Sequence, residues 1–173
     1  MTSWPEEIDP RALRQPDAYS CGAAVVVAAR MLHEPGHRPA DPQQEIRRVH
    51  RELVAVRHAG QLQVPWPRAL GTPPWALARE LSRLHDRDIG VEVARFTPAA
   101  SYDHLAARAA ERPTGVYLGN AWLPRHVVLT LETHAGAVTV FDPGHGELVQ
   151  VPRRRWRDHE VGVAGWRHFW AVV

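Results

Sequence analysis

The spacing of apolar positions predicts helices over most of the first 112 residues. The stretch from Gly22 to Leu32 is apolar on nearly every face, which favours a buried helix with Ser20 or Cys21 at its N-cap. Further along, apolar residues recur at helical spacing. The four predicted helices are 22–32, 41–57, 74–85 and 102–110.

The later part of the chain changes to the period of strands. Alternating and β-branched apolar residues predict strands at 91–96, 115–118, 126–132, 137–141, 148–151 and 166–172. Helices followed by an antiparallel meander indicate the α+β class in one domain spanning 1–173. Prolines make residues 1–20 an extended arm, with 1–14 its freest part, and residues 33–40 and 60–74 are predicted loops.

Composition narrows the classes of function. The chain has 173 residues, 45% hydrophobic and 23% charged, with a formal net charge of +2. That charge is too small to indicate nucleic acid, and the basic run Arg153–Arg157 is interpreted as a solvated stretch. No apolar run approaches the roughly 20 residues needed to span a membrane, and residues 1–14 do not resemble a signal peptide. A single cysteine excludes an internal disulfide and favours a reducing, cytoplasmic compartment, although leaderless export as an effector stays open.

Cys21 is a candidate nucleophile because of its position. A thiol attacks as its thiolate, and the free N–H groups and dipole of a helix N-terminus stabilise that anion. The alternative is a small buried hydrophobic residue at a helix start, which is common for free cysteine. A nucleophile also needs a base, and the base needs a group that orients it.

Two adjacent predicted strands supply both groups. His126 opens the first strand and Asp142 ends the second. If residues 133–135 form a three-residue loop, His126 lies directly opposite Asp142, with Cβ atoms about 5 Å apart. A four-residue loop makes the pair diagonal, still within reach. Asp142 is then expected to hold the imidazole in the tautomer of a general base.

Gln15 precedes the cysteine by six positions. Acyl transfer through a thiolate builds an oxyanion, which preorganised donors must meet. The backbone N–H of Cys21 is one candidate donor. The side-chain amide of Gln15 is a second, provided the arm folds back beside the helix.

These residues together resemble a known signature. Gln15-Pro-Asp-Ala-Tyr-Ser-Cys21-Gly22 is similar to the Gln-x5-Cys-Gly motif of the papain-like cysteine peptidases, above all the bacteriocin leader-cleaving (double-glycine) type and its stand-alone relatives. His126-Val-Val-Leu and Phe141-Asp142-Pro143 match in type and order. The resemblance implies a papain-like fold, with Cys21 as nucleophile, His126 as base and acid, Asp142 as orienter and Gln15 as oxyanion donor. Many of those peptidases carry Asp directly before the cysteine, where this chain has Ser20, and the 173 residues contain no transporter sequence.

The expected architecture is a helical lobe bearing Cys21 packed against a twisted antiparallel sheet bearing His126 and Asp142. The expected substrate is a peptide or protein, with no cofactor, no metal, no nucleic acid and no membrane partner. The remaining candidates for the substrate cleft are Gly22, Trp66, Trp75, Asn120 and Trp122.

Three alternatives share these residues. Hydrolysis of the acyl-enzyme gives a peptidase or amidase, whereas capture by an amine gives an acyltransferase, cyclase or transglutaminase-like enzyme. The same site could act in a toxin or effector. A papain-like cleft could also bind peptide without cleaving it. The patterns do not indicate the substrate preference or the oligomeric state.

Overall fold

A computed structural model describes residues 3–34, 36–58, 60–67 and 70–173. Parts of the predicted arm and of the two predicted loops therefore lie outside the described residues. The helices are α1 (Cys21–His33), α2 (Pro42–Leu53), α3 (Pro74–His85), α4 (Pro98–Glu111) and α5 (Arg153–Arg157). The strands are β1 (Arg57–His58), β2 (Gln61–Leu62), β3 (Glu92–Val93), β4 (Thr114–Gly119), β5 (Pro124–His134), β6 (Ala137–Asp142), β7 (Glu147–Pro152) and β8 (His168–Val172).

Six strands form one antiparallel sheet in the order β3-β8-β4-β5-β6-β7. Strands β4 to β7 follow one another as a meander, and β8 returns to pair with β4. Helices are thus segregated from the sheet along most of the chain, which confirms the predicted α+β class.

Strand alternation gives the sheet two apolar faces. Tyr117, Val127 and Phe141 face the core formed with α1, α2 and α3. Val116 and Val128 face a second core, closed by α4 and by the fully buried Trp156 of α5. Helix α1 is central because valines and alanines cover nearly all of its surface, and it packs against α2, α3 and β5. No helix in the described ranges is long and apolar enough to cross a membrane.

Several element boundaries differ from the prediction. Helix α2 ends at Leu53, four residues early, and Val56 is 56% exposed because the chain turns into the β1–β2 hairpin. The predicted strand at 91–96 pairs only over Glu92–Val93 at the sheet edge. Helix α4 begins at Pro98 because proline is favoured in the first turn.

The N-terminal arm is more structured than its prolines suggested. Residues Pro10–Leu13 form a 3-10 turn in which the Arg11 N–H donates to the Asp9 side chain at 2.9 Å. Trp4 stacks on Phe141 with ring centroids 4.9 Å apart, and Leu13 is fully buried. Apolar contacts therefore hold the arm against the sheet.

Candidate active site

Cys21 is the first residue of α1, and the residue is only 3% exposed. The first helical hydrogen bond runs from Ala24 N–H to the Ser20 carbonyl. The N–H groups of Cys21 and Gly22 thus lie in the first turn, where a helix leaves its donors without intrahelical partners. Cys21 therefore lies at the positive end of the helix dipole.

Gly22 allows the loop before α3 to approach α1. A Cβ built on Gly22 would overlap the side chain of Thr72, so no larger residue fits without displacement. Thr72, and not Gly22, lies on the wall of the cavity beside Cys21. We therefore assign Gly22 to close packing; the predicted contact with substrate has no support in its position.

His126 and Asp142 are brought together by β5 and β6. The distance from His126 Nε2 to Asp142 Oδ1 is 2.7 Å, with the side chains 5% and 0% exposed. Because Nε2 is engaged by the carboxylate, Nδ1 is the ring nitrogen left free to interact with Cys21. Cys21 and His126 line the same cavity, and Asp142 holds the imidazole from its other side.

The strand register that achieves this differs from the predicted one. The hairpin closes with a two-residue turn at Ala135 (φ 49°) and Gly136 (φ 78°), so the predicted loop at 133–135 is wrong. Two positive φ values are the signature of a type I′ turn, whose twist matches that of the strands. Leu129 pairs with Phe141, so in the same register Asp142 lies opposite Val128. Val128 is two residues from His126, and His126 and Asp142 therefore form a diagonal pair.

A β-bulge decides which way the two side chains face. Pairing shifts between Thr130 and Thr133, so that residues 131 and 132 lie opposite Thr139 alone. Side chains alternate along a strand, and a slip of one residue reverses the face of all that follow. The extra residue in β5 therefore gives His126 and Asp142 the same orientation.

Electrostatics favour a charged pair. Burial lowers the pKa of His126, but the hydrogen bond with Asp142 and the proximity of Cys21 outweigh burial and raise the pKa to about 9. For Asp142 burial acts in the opposite direction and raises the pKa. Hydrogen bonds from His126, His145 and the Gly144 N–H outweigh burial and lower the pKa to about 2. An imidazolium and a carboxylate are the preferred forms at neutral pH.

Gln15 reaches the site through its backbone. Its N–H donates to the Pro143 carbonyl at 2.8 Å, which ties the arm to the turn that follows Asp142. The side-chain Nε2 donates to the Asp17 carbonyl at 2.6 Å. An amide nitrogen carries two hydrogens, so one donor of Gln15 is still available.

An apolar cavity of about 150 Å³ opens beside Cys21 and His126. Trp66 lines it, together with Leu123 and Val127. Trp75 does not; it packs behind Trp66, edge to face at 5.1 Å between centroids.

The two predicted cleft residues of the β4–β5 loop also lie off the cavity. Trp122 is 83% exposed and is absent from the cavity wall. Asn120 accepts hydrogen bonds from the N–H groups of Trp122 and Leu123, both at 2.8 Å, and so shapes the loop. These positions depend on loop packing, which sequence spacing does not encode.

Two residues near the site were not anticipated. Tyr117 is buried beside Cys21, donates to the Thr72 carbonyl at 2.9 Å, and burial raises its pKa well above the usual value. His145 contacts Asp142 Oδ2 through Nδ1 at 2.7 Å. The only available signal for His145 was its place three residues after Asp142 in a Pro-Gly turn.

The same turn holds the one group in the described residues with metal-ligand spacing. Ligand atoms of Asp142, His145 and Glu147 lie within 4.8 Å of one another. Asp142 already accepts hydrogen bonds from His126 and His145. A cation at this position would have to displace the hydrogen bond that His145 Nδ1 donates to Asp142 Oδ2.

Comparisons with known proteins find likeness among solved structures. No family model and no curated protein matches the chain. Four chains of solved structures match it. One is the peptidase domain of Streptococcus ComA, a bi-functional ABC transporter involved in a quorum-sensing pathway. It is 17% identical with a TM-score of 0.49, over 92% of this chain and 93% of that domain.

Proposed function

We propose that the protein is a thiol-dependent peptidase or amidase that acts on a peptide or protein substrate and has Cys21 as its nucleophile. One observation carries the proposal. The only cysteine of the chain lies at a helix N-terminus and lines one cavity with a histidine whose imidazole is held by a buried carboxylate. A thiol, a base and an orienting group in this order form a nucleophilic relay.

The first step forms an acyl-enzyme. The reactive form is the ion pair of the Cys21 thiolate and the protonated His126, and the thiolate sulfur attacks the carbonyl carbon of the substrate. The oxyanion that results is met by the Cys21 N–H and by the free hydrogen of the Gln15 amide. The C–N bond then breaks, His126 gives its proton to the leaving amine, and a thioester remains on Cys21.

The second step releases the acyl group. His126, now neutral, takes a proton from water, and the hydroxide adds to the thioester carbonyl. Collapse expels the Cys21 sulfur as its thiolate beside the protonated His126, which restores the starting ion pair, and a carboxylic acid leaves. Asp142 keeps the imidazole oriented through both steps. A reducing compartment keeps the lone thiol available, so we place the enzyme in the cytoplasm.

Reactivity of the single thiol tests the relay without knowledge of the substrate. We expect iodoacetamide to alkylate Cys21 at pH 7 faster than it alkylates glutathione, and His126→Ala to abolish the difference. The His104→Ala variant is the control, because His104 is an exposed histidine paired with Glu92. A wild-type rate no higher than that of glutathione would favour a non-catalytic binding module.

Intact-mass spectrometry with a peptide library and added amines tests the reaction. Hydrolysis predicts peptide fragments with free carboxyl ends, and acyl transfer predicts fragments extended by the amine. The Cys21→Ser variant should give neither product. Products that persist in Cys21→Ser would exclude Cys21 as the nucleophile.

A further inference from the structure

The buried carboxylate of Asp142 receives more hydrogen bonds than the proposed relay requires. Oδ1 accepts from His126 Nε2 at 2.7 Å and from the Gly144 N–H at 2.8 Å. Oδ2 accepts from His145 Nδ1 at 2.7 Å. The mechanism uses the first of these bonds, and the second belongs to the turn itself. The bond from His145 has no assigned purpose.

The turn that carries His145 is itself fastened to the N-terminal arm. Arg14 Nε donates to the Gly144 carbonyl at 3.1 Å, and the Gln15 N–H donates to the Pro143 carbonyl at 2.8 Å. Gly146 has a φ of +67°, and a Cβ there would lie 2.8 Å from Arg11 Cα. The backbone under His145 is therefore held in place, and its imidazole meets the carboxylate from a fixed direction.

We propose that His145 is a positioning residue which fixes the plane of the Asp142 carboxylate from the side opposite His126. The inference rests on the proposed function, because the carboxylate matters as the group that orients the base. A carboxylate with donors on one oxygen only can swing about its Cβ–Cγ bond. A donor on each oxygen removes that freedom and holds Oδ1 in line with His126.

Exposure distinguishes His145 from the other donors. Asp142 is 0% exposed and His126 is 5% exposed, whereas the side chain of His145 is 59% exposed. An exposed side chain gains little by burial, so packing does not account for its position. The chemistry at Nδ1 does: an N–H donor to an ionised, buried oxygen is among the stronger hydrogen bonds of a protein.

Two variants of His145 separate the donor from the ring. In His145→Asn the Nδ2 of the amide occupies the place of the imidazole Nδ1, so the donor is kept while the ring is lost. In His145→Ala both are lost. His104→Ala again serves as the control. The rate of Cys21 alkylation by iodoacetamide at pH 7 is measured for each, with the melting temperature as a check on folding.

A second readout follows the Asp142–His126 bond itself. In protein with ¹⁵N-labelled histidine, the proton on His126 Nε2 is expected to resonate far downfield and to exchange slowly with water. We expect His145→Ala to slow alkylation about tenfold, the loss of one hydrogen bond to a charged group, and to speed exchange of this proton. His145→Asn should restore both properties.

The outcomes are distinguishable. Unchanged alkylation and exchange in His145→Ala would overturn the inference, as would an equal loss in His145→Ala and His145→Asn. A wild-type thiol no more reactive than glutathione would sink the proposed function, and proton exchange would still decide the role of His145.

If His145→Ala does not fold, the wild-type protein decides. The ¹⁵N shifts of neutral His145 should show the Nδ1–H tautomer that a donor to Oδ2 requires. A predominant Nε2–H tautomer would refute the inference.

Discussion

Raising the pH should remove folding free energy through His126. Its pKa is about 9 in the folded protein against 6.5 for a free imidazole. A group whose pKa is raised on folding stabilises the native state fully below the unfolded pKa. That contribution declines from about pH 6.5 and is lost as the pH rises through about 9.

The size of the effect follows from the same two values. Each pKa unit corresponds to about 1.4 kcal/mol, so the difference amounts to about 3 kcal/mol of unfolding free energy. His126 is 5% exposed, so solvent screens little of this contribution. Urea unfolding at half-unit steps between pH 6 and 9.5 measures it.

Comparison with His126→Gln isolates the contribution of His126, because the other titratable groups give the unfolding free energy the same pH dependence in both proteins. The gap between the two free energies should shrink by about 3 kcal/mol as the pH rises. Part of it comes from Cys21, so Cys21→Ser should show a smaller change. A gap that varies by less than about 1 kcal/mol would refute the assigned charge state of the pair.

Three further predictions concern geometry and acid. Deleting Glu132 removes the bulge and should turn His126 and Asp142 to opposite faces of the sheet. The alkylation rate of Cys21 should then fall to that of glutathione. The Glu132→Ala variant keeps the bulge and should keep the wild-type rate. Gly22→Ala should cost about 2 kcal/mol of urea-measured stability through overlap with Thr72, whereas Gly36→Ala, with nothing within 4 Å of its Cβ, should cost far less. The pKa of Asp142 is about 2 in the folded protein against 3.8 for a free carboxyl group. The Asp142 carboxylate should therefore add about 2 kcal/mol to the unfolding free energy above pH 4, and this contribution is lost as the pH falls through 2. In Asp142→Asn, the unfolding free energy measured with urea should fall less steeply over this acid range.

Long periodic segments were predictable because their signals are local. The apolar stretch at 22–29 indicated a buried element, and α3 begins and ends where its pattern does. Edge elements were not predictable in the same way. Val93 belongs to a two-residue edge strand and is 57% exposed, since pairing with β8, and not burial, determines its conformation.

The candidate site residues show the same difference between local patterns, which were predictable, and tertiary contacts, which were not. Cys21 could be placed at a helix N-terminus, and His126 and Asp142 on neighbouring strands, from the order of residues alone. Their catalytic roles, and that of Gln15, stay predictions. The cleft assignments for Trp75 and Trp122 depended on loop paths, and neither residue lines the cavity.

The sequence by itself determined the α+β class, the central helix that begins at Cys21, and the two adjacent strands that carry a histidine and a carboxylate. Those features follow from periodicity and residue type, which act over a few positions. Only the tertiary structure decided that the histidine and the carboxylate face the same way, because a single bulge residue reverses strand alternation. The tertiary structure also decided the contact of His145 with the second oxygen of Asp142. The turn that carries both residues is held by Arg14 of the N-terminal arm, which lies about 130 residues away along the chain.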